Sequence, residues 1–349
     1  MQQIPTACDV LIVGAGLTGA LLARGLVDHD VRVVVLEAAP DAALGATARG
    51  APLALLGTPQ PYAQLVAARG SETAAEIWEL TRQNLALLQA TAQRLGQQVK
   101  PTGSLRLAGP ETEVWRESAH LLQKAGFAVA LQDAARLGYP LGLQVKEDLA
   151  FDPVALALAL LDHPGIILQT ETEVQQILPS ETDLEIWAHN HYIRTKAVVL
   201  AGGAHSVRLH RGLGQHVKPL PVQAVACSMT EALPLPLVLP GGQVVTQAEG
   251  QWQFVGWRAT TEAEALDDLL AAAMQFCPTA PVRRRPASWV GQSVDGLPVV
   301  GELPDFPRIY TVSGLGPWGF SWAFVATAQL LALMLEDVAP TLLNVQRFA

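Results

Sequence analysis

Residues 14–19 read Gly-Ala-Gly-Leu-Thr-Gly, and their flanks narrow the fold more than any other stretch. Before them, residues 9–13 (DVLIV) form a short apolar run, the pattern of a strand buried on both faces. After them, residues 17–27 (LTGALLARGLV) are apolar and rich in Ala and Leu, which suits a helix. Residues 31–36 (VRVVVL) then supply a second buried, β-branched strand. Strand, glycine turn, helix and strand make a βαβ unit with both strands in a parallel sheet.

Each glycine has a physical task in that setting. Gly14 permits the tight turn, Gly16 lets a pyrophosphate approach the backbone, and Gly19 lets helix and strand pack closely. The phosphates would sit at the helix N-terminus, where free N–H groups and the helix dipole favour anions. Glu37 ends the second strand, where a carboxylate can accept a hydrogen bond from a ribose hydroxyl. An acid there repels the extra phosphate of NADP and leaves NAD or FAD.

Composition sets outer limits. The chain has 349 residues, half of them hydrophobic, enough for two domains with substantial cores. Its net charge of −9 argues against a nucleic-acid partner, which needs clustered Lys and Arg. The one basic run, Arg283-Arg284-Arg285, reads as a solvated face. Cys8, Cys227 and Cys277 are odd in number, far apart and lack CxxC spacing. Neither a disulfide framework nor a zinc site is expected, and a reducing, cytoplasmic compartment fits. The eight histidines show no metal spacing, so no metal is expected; His189 and His191 flank Asn190 in a hairpin tip, and His205 reads as structural. The longest apolar segment, residues 322–335 (WAFVATAQLLALML), falls short of the ~20 residues of a membrane span and reads as a buried helix.

The remaining chain alternates in style. Thr73 and Glu76 have the spacing of a capping box, followed by Ile77, Leu80, Leu87, Leu88 and Leu95 at helical intervals and Gly96 at the helix end. Residues 114–126 (VWRESAHLLQKAG) predict another helix, and residues 151–162 (FDPVALALALLD) a helix with Pro153 in its first turn. Residues 193–206 form a strand ending in glycines. From Pro219 to about Pro286, alternating segments such as QWQFVGWRA predict an antiparallel sheet.

Near the end, RIYTVSG leads into residues 313–320 (SGLGPWGF), again a strand, a glycine turn and a helix start. A second helix N-terminus aimed at the cofactor suits a flavin, whose pyrimidine oxygens gain negative charge on reduction. FAD is therefore preferred to NAD, with an NAD-dependent dehydrogenase as the rival.

Taken in order, DVLIVGAGLTG…VVVLEA, AVVLAGGAHS and DGLPVVGELP…IYTVSGLGPWGF resemble the FAD-dependent oxidoreductases of the D-amino acid oxidase superfamily, which includes glycine and sarcosine oxidases. GATARGAP, TGSLRLA and FDP match further landmarks of that family. The resemblance implies an α/β fold: a Rossmann-like FAD-binding domain from residues 1–80, 150–215 and 290–349, and a mainly antiparallel α+β substrate domain from 81–149 and 216–289. It implies non-covalent FAD beside Gly14, Gly16, Leu17, Thr18 and Gly19, and beside Glu37 and Ala38. Further cofactor contacts fall on Thr47, Ala48, Arg49 and Gly50, on Val174, and on Ala201 and Gly202. The C-terminal contacts fall on Gly314, Gly316, Pro317, Trp318, Gly319 and Phe320. The implied reaction is hydride transfer to flavin N5 from a carbon bearing an amine, with a small-molecule amine or amino acid derivative as substrate. It leaves the electron acceptor open among oxygen, a quinone or another protein.

One segment departs from the family pattern. Residues 289–301 read WVGQSVDGLPVVG, where glycine-oxidase-like relatives place a carboxylate-binding arginine before Asp-Gly. Here Gln292 and Ser293 follow Gly291, and the arginine is absent. Arg258 and Arg49 are the candidate replacements, with Gln292 beside them as a neutral hydrogen-bonding group. A flavin-binding subunit without activity is the non-catalytic alternative.

Overall fold

The computed structural model describes residues 5–228, 232–248, 250–257, 262–278, 280–304 and 306–349; the side chains of 262–265, 284 and 286 fall outside that description. Strand β1 (Ala7–Val13), helix α1 (Leu17–Val27) and strand β2 (Val33–Leu36) form the βαβ unit, with β1 and β2 parallel and Val10 opposite Val33. Next come α2 (Ala46–Arg49), β3 (Leu53–Ala54), α3 (Tyr62–Arg69) and α4 (Ser71–Arg94). Strands β4 (Val99–Pro101) and β5 (Ser104–Leu107) precede α5 (Thr112–Lys124), β6 (Val129–Gln132), β7 (Gly142–Val145) and β8 (Leu149–Phe151). Helix α6 (Pro153–Leu161) leads to β9 (Ile166–Gln169), β10 (Val174–Pro179), β11 (Leu184–Ala188) and β12 (His191–Leu200). After α7 (Leu213–His216) come β13 (Val217–Ser228), β14 (Leu237–Val238), β15 (Val244–Ala248), β16 (Gln251–Trp257), α8 (Glu262–Phe276) and β17 (Val282–Ser293). Strands β18 (Val299–Glu302) and β19 (Ile309–Ser313) and helix α9 (Ala323–Glu336) complete the chain.

The first sheet runs β10-β11-β12-β1-β2-β9, with β19 on β12 and β18 on β19. Its centre is parallel, and β10 and β11 turn back as an antiparallel extension. Helices α1, α6 and α9 pack together on one face, burying Leu22, Leu26, Leu156, Leu160 and Leu330 among others. At the start of α6, Asp152 accepts hydrogen bonds from the Val154 and Ala155 N–H groups, and Pro153 sits where no donor is needed. The second sheet runs β17-β13-β16-β15-β14-β5-β7-β6 and is antiparallel except where β14 meets β5. A small third sheet, β3-β8-β4, lies at the junction of the chain segments. No helix among the described residues is long and apolar enough to cross a membrane.

Several expectations are corrected. Thr73 does not cap α4: the helix begins at Ser71, and Gly70, at φ +82°, separates it from α3 without a side-chain cap. The stretch read as antiparallel sheet also holds α8, whose Leu266, Leu269 and Ala273 recur at helical spacing and bury against β13 and β16. The expectation of unpaired cysteines fails as well. Cys227, near the end of β13, and Cys277, just after α8, form a disulfide across 50 residues, both buried in that core; Cys8 is free and buried. The hairpin tip at His189 holds, with that residue at φ +52°.

Candidate functional site

At the turn between β1 and α1, Gly14 and Gly19 stand where a side chain would clash. Gly14 has φ +104°, and a side chain there would meet the Ala201 carbonyl and Gly202 Cα, both at 2.9 Å. The parallel strands β1 and β12 thus end close enough that only glycine fits between them. A Cβ on Gly19 would stand 1.9 Å from the Gly14 carbonyl oxygen, so helix and turn touch there. Gly16 precedes the first turn of α1, and its nearest neighbour is the Thr47 hydroxyl at 3.2 Å.

Two side chains hold this turn. The Thr47 hydroxyl, from α2, accepts the Leu17 N–H at 3.0 Å. Glu37 accepts the Ala15 N–H at 2.7 Å with one carboxylate oxygen and the Ala39 N–H at 2.8 Å with the other. Glu37, expected as a ribose acceptor, fixes the loop in this structure. Each oxygen keeps acceptor capacity, because a carboxylate offers about four acceptor sites.

A cavity opens beside the turn, between the first sheet and the cavity-facing side of β13 and β17. Leu17 and Thr18 line one wall, with Thr47, Arg49 and Gly50 from the second. Gly314, Gly316, Pro317, Gly319 and Phe320 line another. Val222, Ser288, Trp289, Val290 and Gly291, from β13 and β17, close the far side. Its floor is built of glycines: a Cβ on Gly291 would meet Gly203 O and Gly314 N at 3.5 Å, and Gly316 N–H donates to the Gly291 carbonyl at 2.8 Å. The lining is mainly apolar. Among the described residues its polar side chains are Thr18, Thr47, Arg49, Ser288 and the Trp289 indole.

The segment read as flavin-binding borders the cavity. Of the first N–H groups of the helix after SGLGPWGF, those of Phe324 and Val325 are engaged by a side chain. A 3-10 turn, Gly319–Ser321, intervenes, and the Phe324 and Val325 N–H groups bond to Asn84 Oδ1 at 2.9 and 3.2 Å. Asn84 also donates to the Phe320 carbonyl at 2.9 Å. Residues 314–317, 319 and 320 line the cavity together with Ala323, the first residue of α9. Trp318 turns away, into a core with Leu53, Leu55 and Val238, its indole N–H donating to the Gly242 carbonyl at 3.1 Å.

The other candidates divide similarly. Ala201 and Gly202 abut Gly14, whereas Val174 is buried in the core on the other face of the first sheet, and Ala38 and Ala48 are exposed. Arg49 lines the cavity and donates to the Ala287 carbonyl of β17 at 2.7 Å. Gln292 is drawn to the backbone, its amide donating to the Ser293 carbonyl at 3.2 Å while packing against Gly316. Arg258 lies outside the described residues. Val294-Asp295-Gly296 is a turn, and Arg347 grips Asp295 with two hydrogen bonds at 2.8 and 3.1 Å.

Sequence reasoning missed a buried ion pair behind Trp318. Arg106 of β5 lies 3.7 Å from Asp148, both buried, with its guanidinium over the rings of Trp78 and Trp318. Asp148 accepts the Leu56 N–H at 2.7 Å and the Ser104 hydroxyl at 2.6 Å, and Arg106 donates to the Leu56 carbonyl. Burial pushes the Asp148 carboxyl up, with Arg106 opposing, and pushes the Arg106 guanidinium down. The pair pins the 55–58 segment, whose Leu55 N–H donates to Ser321 beside the cavity loop at 2.8 Å.

The comparisons agree with this architecture. A family model described as FAD dependent oxidoreductase matches residues 9–334. Among solved structures, the chain is similar to glycine oxidase from Geobacillus kaustophilus, with TM-score 0.79, 20% identity and coverage of 99% of this chain and 98% of that one. It is also similar to L-proline dehydrogenase from P. horikoshii, with TM-score 0.81, 17% identity and coverage of 99% and 98%. Among curated proteins, it is 28% identical over 259 residues to a bifunctional protein of tRNA 5-methylaminomethyl-2-thiouridine biosynthesis from Pseudomonas putida strain GB-1. That match takes in 69% of this chain and 36% of the relative, so the chain corresponds to about a third of the relative's length. With its glycine turn, carboxylate and cavity in place and the family model matched nearly end to end, the chain belongs to the FAD dependent oxidoreductase family.

Proposed function

We propose that this chain removes a hydride from the carbon bearing the nitrogen of a small amine or amino acid derivative. The observation carrying this is the cavity itself: apolar, bounded by the cofactor turn on one side and the antiparallel sheet on the other, with Arg49 the one arginine lining it among the described residues. Bound FAD would supply the hydride acceptor, held non-covalently by the α1 turn, Thr47, Glu37 and the 314–320 loop.

The residues' part is binding, orientation and exclusion of water. Val222, Val290 and Phe320 present apolar surface, in which an ammonium group is disfavoured relative to the neutral amine. The described lining holds no carboxylate or imidazole to take the amine's proton, so that proton leaves to solvent before the amine is engulfed. Reduction should therefore speed up as pH rises toward the amine's own pKa.

A carboxylate next to the amine finds little support here. Gln292 and Ser293 stand where the resemblance to glycine-oxidase-like proteins leads one to expect an arginine, and an unpaired buried carboxylate costs several kcal/mol. Arg49 is the available cation, and one of its donors is engaged by Ala287. Neutral or apolar amines are thus favoured over glycine, sarcosine and simple D-amino acids. The net charge of −9 favours a free small molecule over tRNA.

The test is anaerobic bleaching of the flavin by a panel holding butylamine, glycine and D-alanine, repeated on Arg49→Gln. Butylamine should bleach the flavin faster than either amino acid. Rapid bleaching by glycine or D-alanine that survives Arg49→Gln would overturn the substrate assignment. Failure of every amine, with dithionite still effective, would favour a non-catalytic flavin-binding subunit.

A further inference from the structure

On β17, Ser288 pairs with Val222 and Arg285 with Ala224, so three residues of β17 span two of β13. That is a β-bulge, a device that re-aims side chains and is common next to active sites. Paired residues of antiparallel strands project to the same face, and faces alternate along each strand. Val222 and Ala224 share a face, hence Ser288 and Arg285 share it, and Ala226 with Arg283 extends the row. Without the bulge, Arg285 and Ser288 would project to opposite faces. The other face is already filled: Val225 and Cys227, opposite Arg284 and Val282, join the core beneath α8.

Arg283 and Arg285 therefore continue, outward, the face that lines the cavity at Val222 and Ser288, and both are exposed. Counted along β13 from Val222 to Ala224 and Ala226 at ~3.4 Å per residue, Arg285 stands roughly 7 Å beyond Ser288 and Arg283 roughly 14 Å beyond it. Arg49 borders the same edge, its guanidinium on the carbonyl of Ala287 inside the bulge. Arg49 thus lines the cavity, and Arg285 and Arg283 lie along the strand face that leads away from it, in a chain whose net charge is −9.

We infer that the substrate carries an anionic group, carboxylate or phosphate, several bonds away from the reacting amine, and that Arg285 and Arg283 bind it. This rests on the amine-oxidising reading above. It explains how a cavity without the usual clamp can still select for charge: the clamp has moved along the strand, so the anion must lie farther from the nitrogen. Guanidinium matches either oxyanion.

The test uses the FAD-loaded protein and compares γ-aminobutyrate, phosphoethanolamine and butylamine in anaerobic flavin reduction, at low and high salt. The two anionic amines should saturate at lower concentration than butylamine, and salt should erode the advantage. Which of them leads distinguishes carboxylate from phosphate. The double variant Arg283→Gln/Arg285→Gln, exposed and without a packing role, should reduce the ratio of anionic to neutral affinity about tenfold, the size of one charge-assisted contact. Equal weakening of all three amines, or of none, overturns the proposal. If butylamine works and the anionic amines hold no advantage, the arginine row fails while amine oxidation stands. If no amine reduces the flavin, the reading of the reaction fails, and glutarate decides separately: a flavin absorbance change lost in the double variant supports the row, and no change overturns it. Blocking of reduction by a single-stranded RNA oligonucleotide at lower concentration than either small anion overturns the small-molecule assignment.

Discussion

Asn84 caps a helix to which it does not belong: from the middle of α4, its Oδ1 accepts the Phe324 N–H at 2.9 Å. The same oxygen takes the Val325 N–H, and the amide nitrogen donates to the Phe320 carbonyl. Asn84 is fully buried, so its removal strands two helix donors and a carbonyl without water. Asn84→Ala should destabilise the fold by ~1–3 kcal/mol per stranded group at most. It should also weaken FAD retention, because Phe320 lines the cavity. Thermal melting with and without added FAD checks this; a smaller FAD-induced shift in the variant is expected.

The glycine turn makes a sharper demand. Valine at Gly16 would crowd the Thr47 hydroxyl, already 3.2 Å from where a Cβ would lie, and cover the approach to the α1 N-terminus. Gly16→Val should fold, as judged by far-ultraviolet circular dichroism, yet purify colourless. A full complement of flavin in that variant would remove the turn from the cofactor site.

Asp295 gives a pH dependence. Burial raises its carboxyl pKa, but the hydrogen bonds and charge of Arg347 outweigh this and hold it below the usual carboxylate range. A depressed folded-state pKa contributes stability that is present above the unfolded value, near 4, and is lost as pH falls through the folded one. Acid unfolding below about pH 4 should therefore be steeper in the parent than in Asp295→Asn. Urea midpoints across that range measure the difference.

Arg106 and Asp148 offer a double-mutant cycle. Arg106→Met leaves a buried carboxylate without its cation and should cost ~3–5 kcal/mol, much of it returned when Asp148→Asn is added. Additive losses in chemical denaturation would show that the two groups do not interact.

The parts legible in the sequence were the local ones. Gly14, Gly16 and Gly19 sit between elements whose periodicity is unambiguous, so the βαβ unit could be placed nearly to the residue. Asp152 and Pro153 likewise announce α6. What escaped depends on partners far away in the chain. Asn84 is an unremarkable polar residue on α4 until α9, 240 positions later, presents its N–H groups. Cys227 and Cys277 share no motif and meet only because α8 folds back over β13. Trp318 lies in a cavity-lining segment yet faces a core, because Gly242 and Arg106 draw its ring the other way. The bulge in β17 is visible only through its register with β13, which sets Arg283 and Arg285 on the strand face shared with Val222 and Ser288.

The proposed reaction breaks a C–H bond on the carbon bearing nitrogen, and its hydrogen leaves as hydride. Single-turnover anaerobic reduction by saturating butylamine, against the same amine carrying deuterium on that carbon, tests it most directly. The deuterated amine should bleach the flavin several-fold more slowly. Equal rates for the two isotopologues, or no bleaching by butylamine in protein whose flavin dithionite can reduce, would contradict it.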